Sequence, residues 1–374
     1  MARVEALELT DFRSYGSLSA AFPGGPQIVV GPNAAGKTNL VEALVVLALG
    51  RSHRTRSDVE MIRWEAPFAR VAARTVGGRS DARTDLEVVL ERQGAGVRRR
   101  VRVDGTPRRP SSLLEALRAV VFSPESMLLV AGPPVLRREA LDQLAAQRYP
   151  GYARALSTYG RALAQRNSLL RALREGTAAR DELPYWDGVL IEQGGAVVAW
   201  RRSLLDDLLG PLAAAHEEIA PGEGRLSLVY ATNAPLLEGE RPEDALRRRL
   251  TETAEREVWN GMTLVGPHRD DCTFELSGRV LAGFASRGQQ RTAILAFKLA
   301  ELDLLTRLDG EPPLLLLDDV FSELDPDRRH HLVRRLQGLP QAFVTTTALS
   351  DLDPGLVAKA TTWAVVDGRL EPAA

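Results

Sequence analysis

The sequence is poor in cysteine, in lysine and in long apolar runs. Cys272 is the single cysteine among 374 residues, which excludes disulfide bonds within the chain and zinc sites built from several thiolates. No uncharged apolar run approaches 18 residues, so we expect no transmembrane helix. The charged residues among the first nine positions argue against a secretion signal, and a soluble protein of the reducing cytoplasm is therefore expected.

The scarcity of lysine makes the position of each one informative. Only Lys37, Lys298 and Lys359 occur among 48 basic residues, the rest being arginine. Lys37 lies between the strand-like run 27–30 and the helix-like run 39–47, within the segment Gly31-Pro32-Asn33-Ala34-Ala35-Gly36-Lys37-Thr38. This glycine-rich segment, placed between a strand and a helix, predicts a phosphate-binding loop.

The chemistry of such a loop explains its residue types. Glycines let successive backbone N–H groups point inward, and the N-terminus of the following helix adds partial positive charge, so that a triphosphate is held. Lys37 is expected to reach the β- and γ-phosphates and the Thr38 hydroxyl to bind Mg²⁺. An ordinary glycine-rich turn before a core helix is the alternative interpretation.

A pair of acidic residues follows a very apolar strand. Leu314–Leu317 leads directly into Asp318 and Asp319, which indicates a buried strand whose carboxyl end lies beside the phosphate loop. Asp318 is expected to hold Mg²⁺ opposite Thr38. Asp319 is expected to orient or deprotonate the attacking water.

The order of patterns along the chain predicts an α/β protein with a helical insertion. We expect an ATPase head from residues 1–130 and 262–374, and a helical arm from residues 131–261. The head should contain a β-hairpin turning at Asp104-Gly105, and a strand at 262–265 that returns the chain to the head. The second long helix of the arm is expected to kink at Gly194-Gly195 and Pro211.

Further motifs complete a family pattern. The phosphate loop, Ser286-Arg287-Gly288-Gln289-Gln290, Asp318-Asp319 and Ser322-Glu323-Leu324-Asp325 occur in that order. Together with Leu9–Tyr15 and Gly266-Pro267-His268-Arg269, they resemble the ABC-type ATPase heads of the SMC class. More narrowly, the chain is similar to the RecF family of bacterial recombination mediators.

This resemblance implies an ABC-ATPase-like head, with mixed sheets around the phosphate loop, and a composite ATP site. In such ATPases the Ser-Arg-Gly-Gln-Gln segment of one subunit caps the γ-phosphate held by another, which requires a homodimer that closes over DNA when ATP binds. It implies weak, DNA-stimulated hydrolysis, with Asp319 and Lys37 as catalytic residues. The implied nucleotide contacts beyond the phosphate loop are Arg13, Asn39, Ser286, Gly288 and Gln289, and the implied dimer contacts are Ser286, Arg287 and Asp325.

The same resemblance implies the partners and shows two departures. The partners would be single-stranded, double-stranded or gapped DNA, RecO- and RecR-like mediators and a RecA-like recombinase, without a membrane. ABC ATPases usually carry glutamate where Asp319 stands and histidine near Thr346, so slow turnover suited to a switch is expected. The loop after Phe122 also lacks a convincing glutamine.

Several alternatives stay open. The arginines between positions 92 and 109 outnumber acids by seven to one, and they indicate either a DNA-backbone contact or a charged edge strand. His268 and Arg269 could touch nucleotide or DNA, or form a structural turn. An ABC transporter subunit and a non-hydrolysing ATP-binding module are alternatives to the DNA clamp. The candidate DNA contacts are Arg54, Arg56, Arg98, Arg100 and Arg102.

Overall fold

The computed structural model describes residues 3–77, 83–94, 96–366 and 368–373. The strands are β1 (Arg3–Phe12), β2 (Tyr15–Ala21), β3 (Gly25–Val30), β4 (Phe68–Val76), β5 (Arg83–Gln93), β6 (Gly96–Val103), β7 (Thr106–Arg108), β8 (Ala119–Phe122), β9 (Leu226–Ala231), β10 (Asp271–Leu276), β11 (Arg279–Val280), β12 (Leu314–Asp318), β13 (Gln341–Thr346), β14 (Thr361–Val366) and β15 (Arg369–Pro372). The helices are α1 (Lys37–Leu49), α2 (Leu113–Ala116), α3 (Leu128–Ala131), α4 (Pro134–Arg148), α5 (Tyr152–Arg174), α6 (Leu183–Ile219), α7 (Pro242–Asn260), α8 (Leu281–Phe284), α9 (Arg287–Asp309), α10 (Pro326–Leu336) and α11 (Pro354–Val357).

The chain divides into two compact units. The first contains Met1–Met127, Ala215–Gly222 and Arg287–Ala374, and the second contains Leu128–Ala214 and Glu223–Ser286. Residues 128–130 and 262–286, which we had expected in the head, thus lie in the second unit, and residues 215–222, which we had expected in the arm, lie in the first. The chain returns to the first unit later than we had expected, because β10 pairs with β9 and residues 271–276 therefore stay beside residues 226–231 in the second unit.

The first unit is built from two six-stranded sheets. One has the order β2-β1-β4-β5-β6-β7 and is antiparallel throughout. The other has the order β15-β14-β3-β13-β12-β8, in which every pair is parallel except β14 with β15. The predicted hairpin is confirmed: β6 and β7 are joined by Asp104 and Gly105, both with positive φ, as a two-residue hairpin turn requires.

Helix α1 lies in the hydrophobic core of this unit. Ten of its thirteen residues are buried, and the core cluster contains side chains from α1 and from both sheets. A helix that is apolar on every side is stable only when it is surrounded, and α1 meets that condition. The phosphate loop therefore leads into one of the most deeply packed elements of the unit.

The second unit combines helices with the small sheet β11-β10-β9. Helix α6 has 37 residues and continues through Gly194-Gly195 and Pro211. The two glycines allow close packing: a Cβ atom would lie 3.0 Å from the Tyr159 ring at Gly194 and 2.5 Å from Glu243 at Gly195. These glycines of α6 therefore approach α5 and α7 closely, where a side chain would have to displace its neighbours.

The predicted strand at residues 262–265 is wrong. This segment is irregular, because side chains from neighbouring helices satisfy its backbone. The Thr263 N–H donates to Asn167 Oδ1 at 2.7 Å, and the Leu264 N–H donates to Glu257 Oε1 at 2.7 Å. Backbone donors that are bonded in this way are not available for a sheet ladder.

Across the described part of the chain, no helix is both long enough and apolar enough to cross a bilayer.

Candidate nucleotide site

The phosphate loop joins β3 to α1, and its two glycines are sterically required. Gly36 has φ 119°, and a Cβ atom there would lie 3.0 Å from Ser14 Oγ and 3.1 Å from the Tyr15 hydroxyl. At Gly31 a Cβ atom would lie 2.7 Å from the Val365 carbonyl oxygen. The loop is therefore closed tightly against its own unit, and only glycine fits at either end.

Lys37 is held inside the loop. Its ammonium donates to the carbonyl oxygens of Gly31 at 2.7 Å and Pro32 at 2.9 Å. Burial lowers the pKa of Lys37, and the carboxylates of Asp319 and Asp318 oppose this shift. The cation is thus fixed beside the place where the loop amides would receive phosphates.

Thr38, Asp318 and Thr345 form the centre of the site. The Thr38 hydroxyl donates to Asp318 Oδ1 at 3.0 Å, and the Thr345 hydroxyl donates to the same oxygen at 2.7 Å. The structure therefore brings together Thr38 and Asp318, which are far apart in sequence, as the sequence analysis expected. Thr345, at the end of the buried strand β13, is a site residue for which we had assigned no role.

Asp319 has an unusual backbone conformation. Its φ is 53°, in the left-handed region that non-glycine residues rarely adopt. Its N–H donates to Thr345 Oγ1 at 2.9 Å, and its carbonyl accepts from the Ser322 hydroxyl at 2.7 Å. Burial raises the pKa of Asp319, whereas the nearby charge of Lys37 lowers it. Such strain is common at functional sites, where the surrounding structure holds a residue in place.

The donor set fits Mg²⁺ that is shared with a nucleotide. Among the described residues, no group of three or more His, Cys, Asp or Glu could hold a metal ion by itself. Mg²⁺ does not need such a cage, since it usually keeps several waters and binds one or two carboxylates together with substrate phosphates. Thr38 Oγ1 and Asp318 Oδ1, which lie 3.0 Å apart, are hard oxygen ligands of the required kind.

A buried carboxylate anchors the helix behind the loop. Glu42 is fully buried and accepts from Arg13 Nε at 2.8 Å, Arg13 Nη2 at 2.7 Å and Ser52 Oγ at 2.5 Å. Burial opposes ionisation, but the hydrogen bonds from Arg13 and Ser52 hold the pKa of Glu42 below its ordinary value. Sequence reasoning did not find Glu42, because nothing local distinguishes it from any other helical glutamate.

Two of the predicted site residues, Arg13 and Arg54, belong to the same hydrogen-bond network. Arg13, expected near the nucleotide, is engaged by Glu42 and also donates to the Glu60 carbonyl at 2.7 Å. Arg54, a candidate DNA contact, donates to Asn39 Oδ1 at 3.0 Å and to Glu42 at 3.3 Å. Arg54 therefore lies against the first turns of α1. Arg56 is exposed in the same segment.

The Ser-Arg-Gly-Gln-Gln segment forms the start of α9. Ser286 and Arg287 are exposed, and the helix begins at Arg287. Thr292 donates to the Gly288 carbonyl at 3.1 Å, and Arg291 pairs with Glu323 at 2.7 Å. The ion pair ties the first turns of α9 to the loop that follows Asp319. Gln289 and Gln290 follow on the first turn and are partly buried.

Asp325 begins α10 as its N-cap. Its side chain accepts from the Arg328 N–H at 3.1 Å and pairs with the Arg328 guanidinium, while 42% of it remains exposed. Arg328 Nε also donates to Thr292 Oγ1 at 2.8 Å. Asp325 thus has a structural role in α10 and still presents an accessible carboxylate.

The arginines of β6 divide between two faces of their sheet. Arg99 points inward and pairs with Asp58, whereas Arg98, Arg100 and Arg102 share the exposed face. Across the strands, Arg100 pairs with Glu91 at 2.6 Å and Arg102 with Glu87 at 3.0 Å. Much of the positive charge seen in the sequence is therefore balanced by β5.

The Gly-Pro-His-Arg segment lies within the second unit. His268 Nδ1 is 2.5 Å from the Tyr159 hydroxyl, and its Nε2 is 3.3 Å from the Thr263 carbonyl. Burial lowers the pKa of His268 to about 4. These contacts favour the structural role for His268, while Arg269 is exposed.

Comparisons with known proteins confirm the resemblance seen in the motifs and the predicted fold class. The chain matches the family described as “RecF/RecN/SMC N terminal domain” over residues 3–354. It is 41% identical to “DNA replication and repair protein RecF” of Chloroflexus aurantiacus, over 98% of this chain and 99% of that protein. Two solved structures of the recombination mediator protein RecF in the RecFOR pathway, with ATPrS and with ATP, have TM-scores of 0.90 and 0.89. Their identities are 28% and 29%, and each comparison covers 100% of this chain and 98% of the solved chain.

Proposed function

Because this chain belongs to the RecF family of DNA replication and repair proteins, we propose that it is an ATP-controlled clamp that dimerises on DNA. The family places the chain in DNA replication and repair, and one of the similar RecF structures is described with ATP. In the proposal, ATP binding closes the clamp and slow hydrolysis opens it. The chain would work in the cytoplasm with RecO- and RecR-like mediators and help to load a RecA-like recombinase onto gapped DNA.

The observation that carries this proposal is the assembled half-site around Lys37, Thr38 and Asp318. The loop amides and Lys37 would bind the β- and γ-phosphates of ATP, and Thr38 with Asp318 would hold Mg²⁺. Bound Mg²⁺ would neutralise the charge that develops on the transferred phosphoryl group. Asp319 would orient the attacking water, or accept its proton.

The second half of the site would come from another copy of the chain. Ser286, the Gly288 amide and the N-terminus of α9 are hydrogen-bond donors suited to a γ-phosphate, and Gln289 lies on the same turn. The chain has one phosphate loop and one Ser-Arg-Gly-Gln-Gln segment, so a symmetric pair of copies would have two complete sites. Ser286, Arg287 and Asp325 would then lie at the interface between the copies.

Light scattering with and without ATP tests this proposal directly. We expect ATP to double the mass of the wild type and to increase its affinity for gapped DNA. Lys37→Met should remain monomeric, because the phosphates lose their cation, whereas Asp319→Asn should bind ATP and persist as a dimer on DNA. Lys359→Met is the matched control, because Lys359 is exposed and lies outside the site, and it should behave as the wild type.

Two results would contradict the clamp. One is a wild type that binds DNA equally well as a monomer, without ATP. The other is an Asp319→Asn protein that hydrolyses ATP as fast as the wild type, since the proposal gives Asp319 the catalytic role. Weak hydrolysis that DNA accelerates is the expected behaviour of the wild type. Family membership removes the transporter subunit as an alternative.

A further inference from the structure

Trp64 is an exposed tryptophan in the first unit. Its side chain is 86% exposed, although tryptophan contributes more apolar surface than any other residue and is usually mostly buried. The chain has five tryptophans, and Trp363, also in the first unit, is 8% exposed. Trp259, in the second unit, is similarly exposed at 82%, so exposure alone does not mark a site and it is the surroundings of Trp64 that distinguish it.

The turn that carries Trp64 is held rigidly. The Ala66 N–H donates to the Arg63 carbonyl at 3.1 Å, and Glu65 has φ 62°, so residues 63–66 have the features of a type II turn with Trp64 at its tip. The φ of Glu65 is unfavourable for a residue with a side chain, so the strain must be offset by the contacts at both ends of the turn. A turn whose backbone is already ordered lowers the entropy that binding costs.

Those contacts come from two different strands. On one side, the Arg63 N–H donates to the Asp11 carbonyl at the end of β1 at 2.8 Å. On the other side, Arg92 in β5 donates its Nε to the Ala66 carbonyl and its N–H to the Pro67 carbonyl, both at 2.9 Å. The turn is thus fastened to the sheet at its beginning and at its end.

Trp64 lies between exposed arginines, of which Arg63 also pairs with Asp11 at 3.4 Å, and beside the exposed Glu65. Arg63 and Arg92 flank the turn, and both are exposed. In the adjacent strands, Phe68 of β4 lies opposite Glu91 of β5. Glu91 lies opposite the exposed Arg98 of β6 and forms an ion pair with Arg100. A protein-binding hot spot is normally surrounded by further contacts that exclude water, whereas stacking aromatics with nearby arginines are typical of nucleic-acid surfaces.

The turn is also connected to the phosphate-loop helix. Arg13, which binds Glu42 of α1, donates its N–H to the Met61 carbonyl at 2.9 Å and its Nη1 to the Glu60 carbonyl at 2.7 Å. The segment that leads into Trp64 therefore has direct hydrogen bonds to Arg13, whose side chain anchors the nucleotide half-site through Glu42.

We propose that Trp64 is a stacking platform for an unpaired DNA base, with Arg63 and Arg92 contacting the flanking phosphates. This inference rests on the proposed DNA clamp and specifies one contact within it. Every base has a π-face, so stacking would occur with little sequence preference. An unpaired base next to a duplex can reach Trp64, whereas a base inside a blunt duplex is already stacked on its neighbours.

The test measures the affinity of the full chain, with ATP, for two labelled DNAs. One is a blunt duplex, and the other is the same duplex with a single-stranded overhang. The variants are Trp64→Ala, Trp64→Phe and, as the matched control, Trp259→Ala, since Trp259 is 82% exposed in the second unit. We expect Trp64→Ala to weaken binding of the overhang DNA roughly five- to hundredfold, with little change for the blunt duplex. Trp64→Phe should retain most of the affinity, and Trp259→Ala should retain all of it.

The outcomes separate this inference from the clamp itself. If Trp64→Ala binds both DNAs as the wild type does, or loses affinity equally for both, the stacking site is wrong while the clamp stands. A Trp64→Ala protein that keeps its DNA affinity but loses binding to a protein partner would likewise overturn the base-stacking assignment. If the wild type binds neither DNA, the proposed function itself is overturned.

Discussion

The two halves of the proposed ATP site differ in how completely one chain builds them. In the phosphate-loop half, Lys37 and Asp318 are buried, and Lys37, Thr38 and Asp318 all have hydrogen-bond partners within the first unit. The Ser286 half begins at exposed residues, and its helix is tied back to the loop after Asp319 through Arg291 and Glu323. One half of the proposed site is thus assembled within the chain, while the other begins at exposed residues.

This difference teaches what each half requires. The phosphate-loop half depends on the folded core, because α1 is packed between sheets and anchored by Glu42. In the proposal, the Ser286 half is completed by contact with a second copy, and Ser286 and Arg287 are exposed. Changes in the first half should therefore affect folding as well as ATP binding, whereas changes in the second should affect assembly alone.

The largest expected effect is the loss of the Glu42 carboxylate. Glu42→Gln removes the negative charge that pairs with Arg13 and Arg54. The Arg13 guanidinium then loses its ion-pair partner. Breaking a buried ion pair costs about 3–5 kcal/mol, so the free energy of unfolding in urea should fall by about that amount.

The control for this variant is Glu60→Gln, because the Glu60 side chain is exposed and only its carbonyl contacts Arg13. It should change the free energy of unfolding by no more than about 0.5 kcal/mol. Equal stability of the two variants would show that Glu42 does not anchor α1.

Ser286→Arg tests an effect on dimer assembly that leaves the folded chain unchanged. The substitution removes the hydroxyl donor proposed for the γ-phosphate and fills the capping position at both composite sites of a symmetric pair, so ATP should no longer double the mass in light scattering. ATP binding to the monomer should persist, and the free energy of unfolding should change by no more than about 0.5 kcal/mol, as at other exposed positions. A variant that still dimerises with ATP would place the interface elsewhere.

The smallest effect concerns the ionisation of Asp319. Burial raises its pKa in the folded protein, so folding favours the protonated carboxyl. The protonated carboxyl therefore stabilises the folded protein fully below the pKa of an unfolded aspartate. This stabilisation is lost as the pH rises through the raised pKa of Asp319 in the folded protein. At neutral pH Asp319→Asn should therefore raise the melting temperature slightly. The corresponding gain in the free energy of unfolding should be less than about 1 kcal/mol, because the site is partly exposed.

This gain should shrink as the pH is lowered towards the ordinary range of aspartate. Asp327→Asn is the control with the opposite sign, because Asp327 is exposed in the first turn of α10 and favourably placed at the helix N-terminus. It should lower the melting temperature at neutral pH. A loss of stability in Asp319→Asn at neutral pH would mean that the carboxylate is favoured in the folded protein.

The sequence predicted the parts of the site that are encoded by consecutive residues. The phosphate loop and the strand ending at Asp318 were identifiable because glycine spacing and an apolar run are local signals. Thr345 and Glu42 were not, because each acquires its role only when distant segments pack together. The return strand at 262–265 failed for a similar reason: side chains from residues 167 and 257 take its backbone donors.

The most direct test of the central claim mixes two inactive chains. A Lys37→Met chain keeps an intact Ser286 segment, and a Ser286→Arg chain keeps an intact phosphate loop, so a mixed dimer contains one complete composite site. We predict that neither chain alone forms a dimer with ATP, and that the mixture regains both an ATP-dependent dimer and ATP hydrolysis. If no ratio of the two folded chains restores either property, the site is not shared between copies.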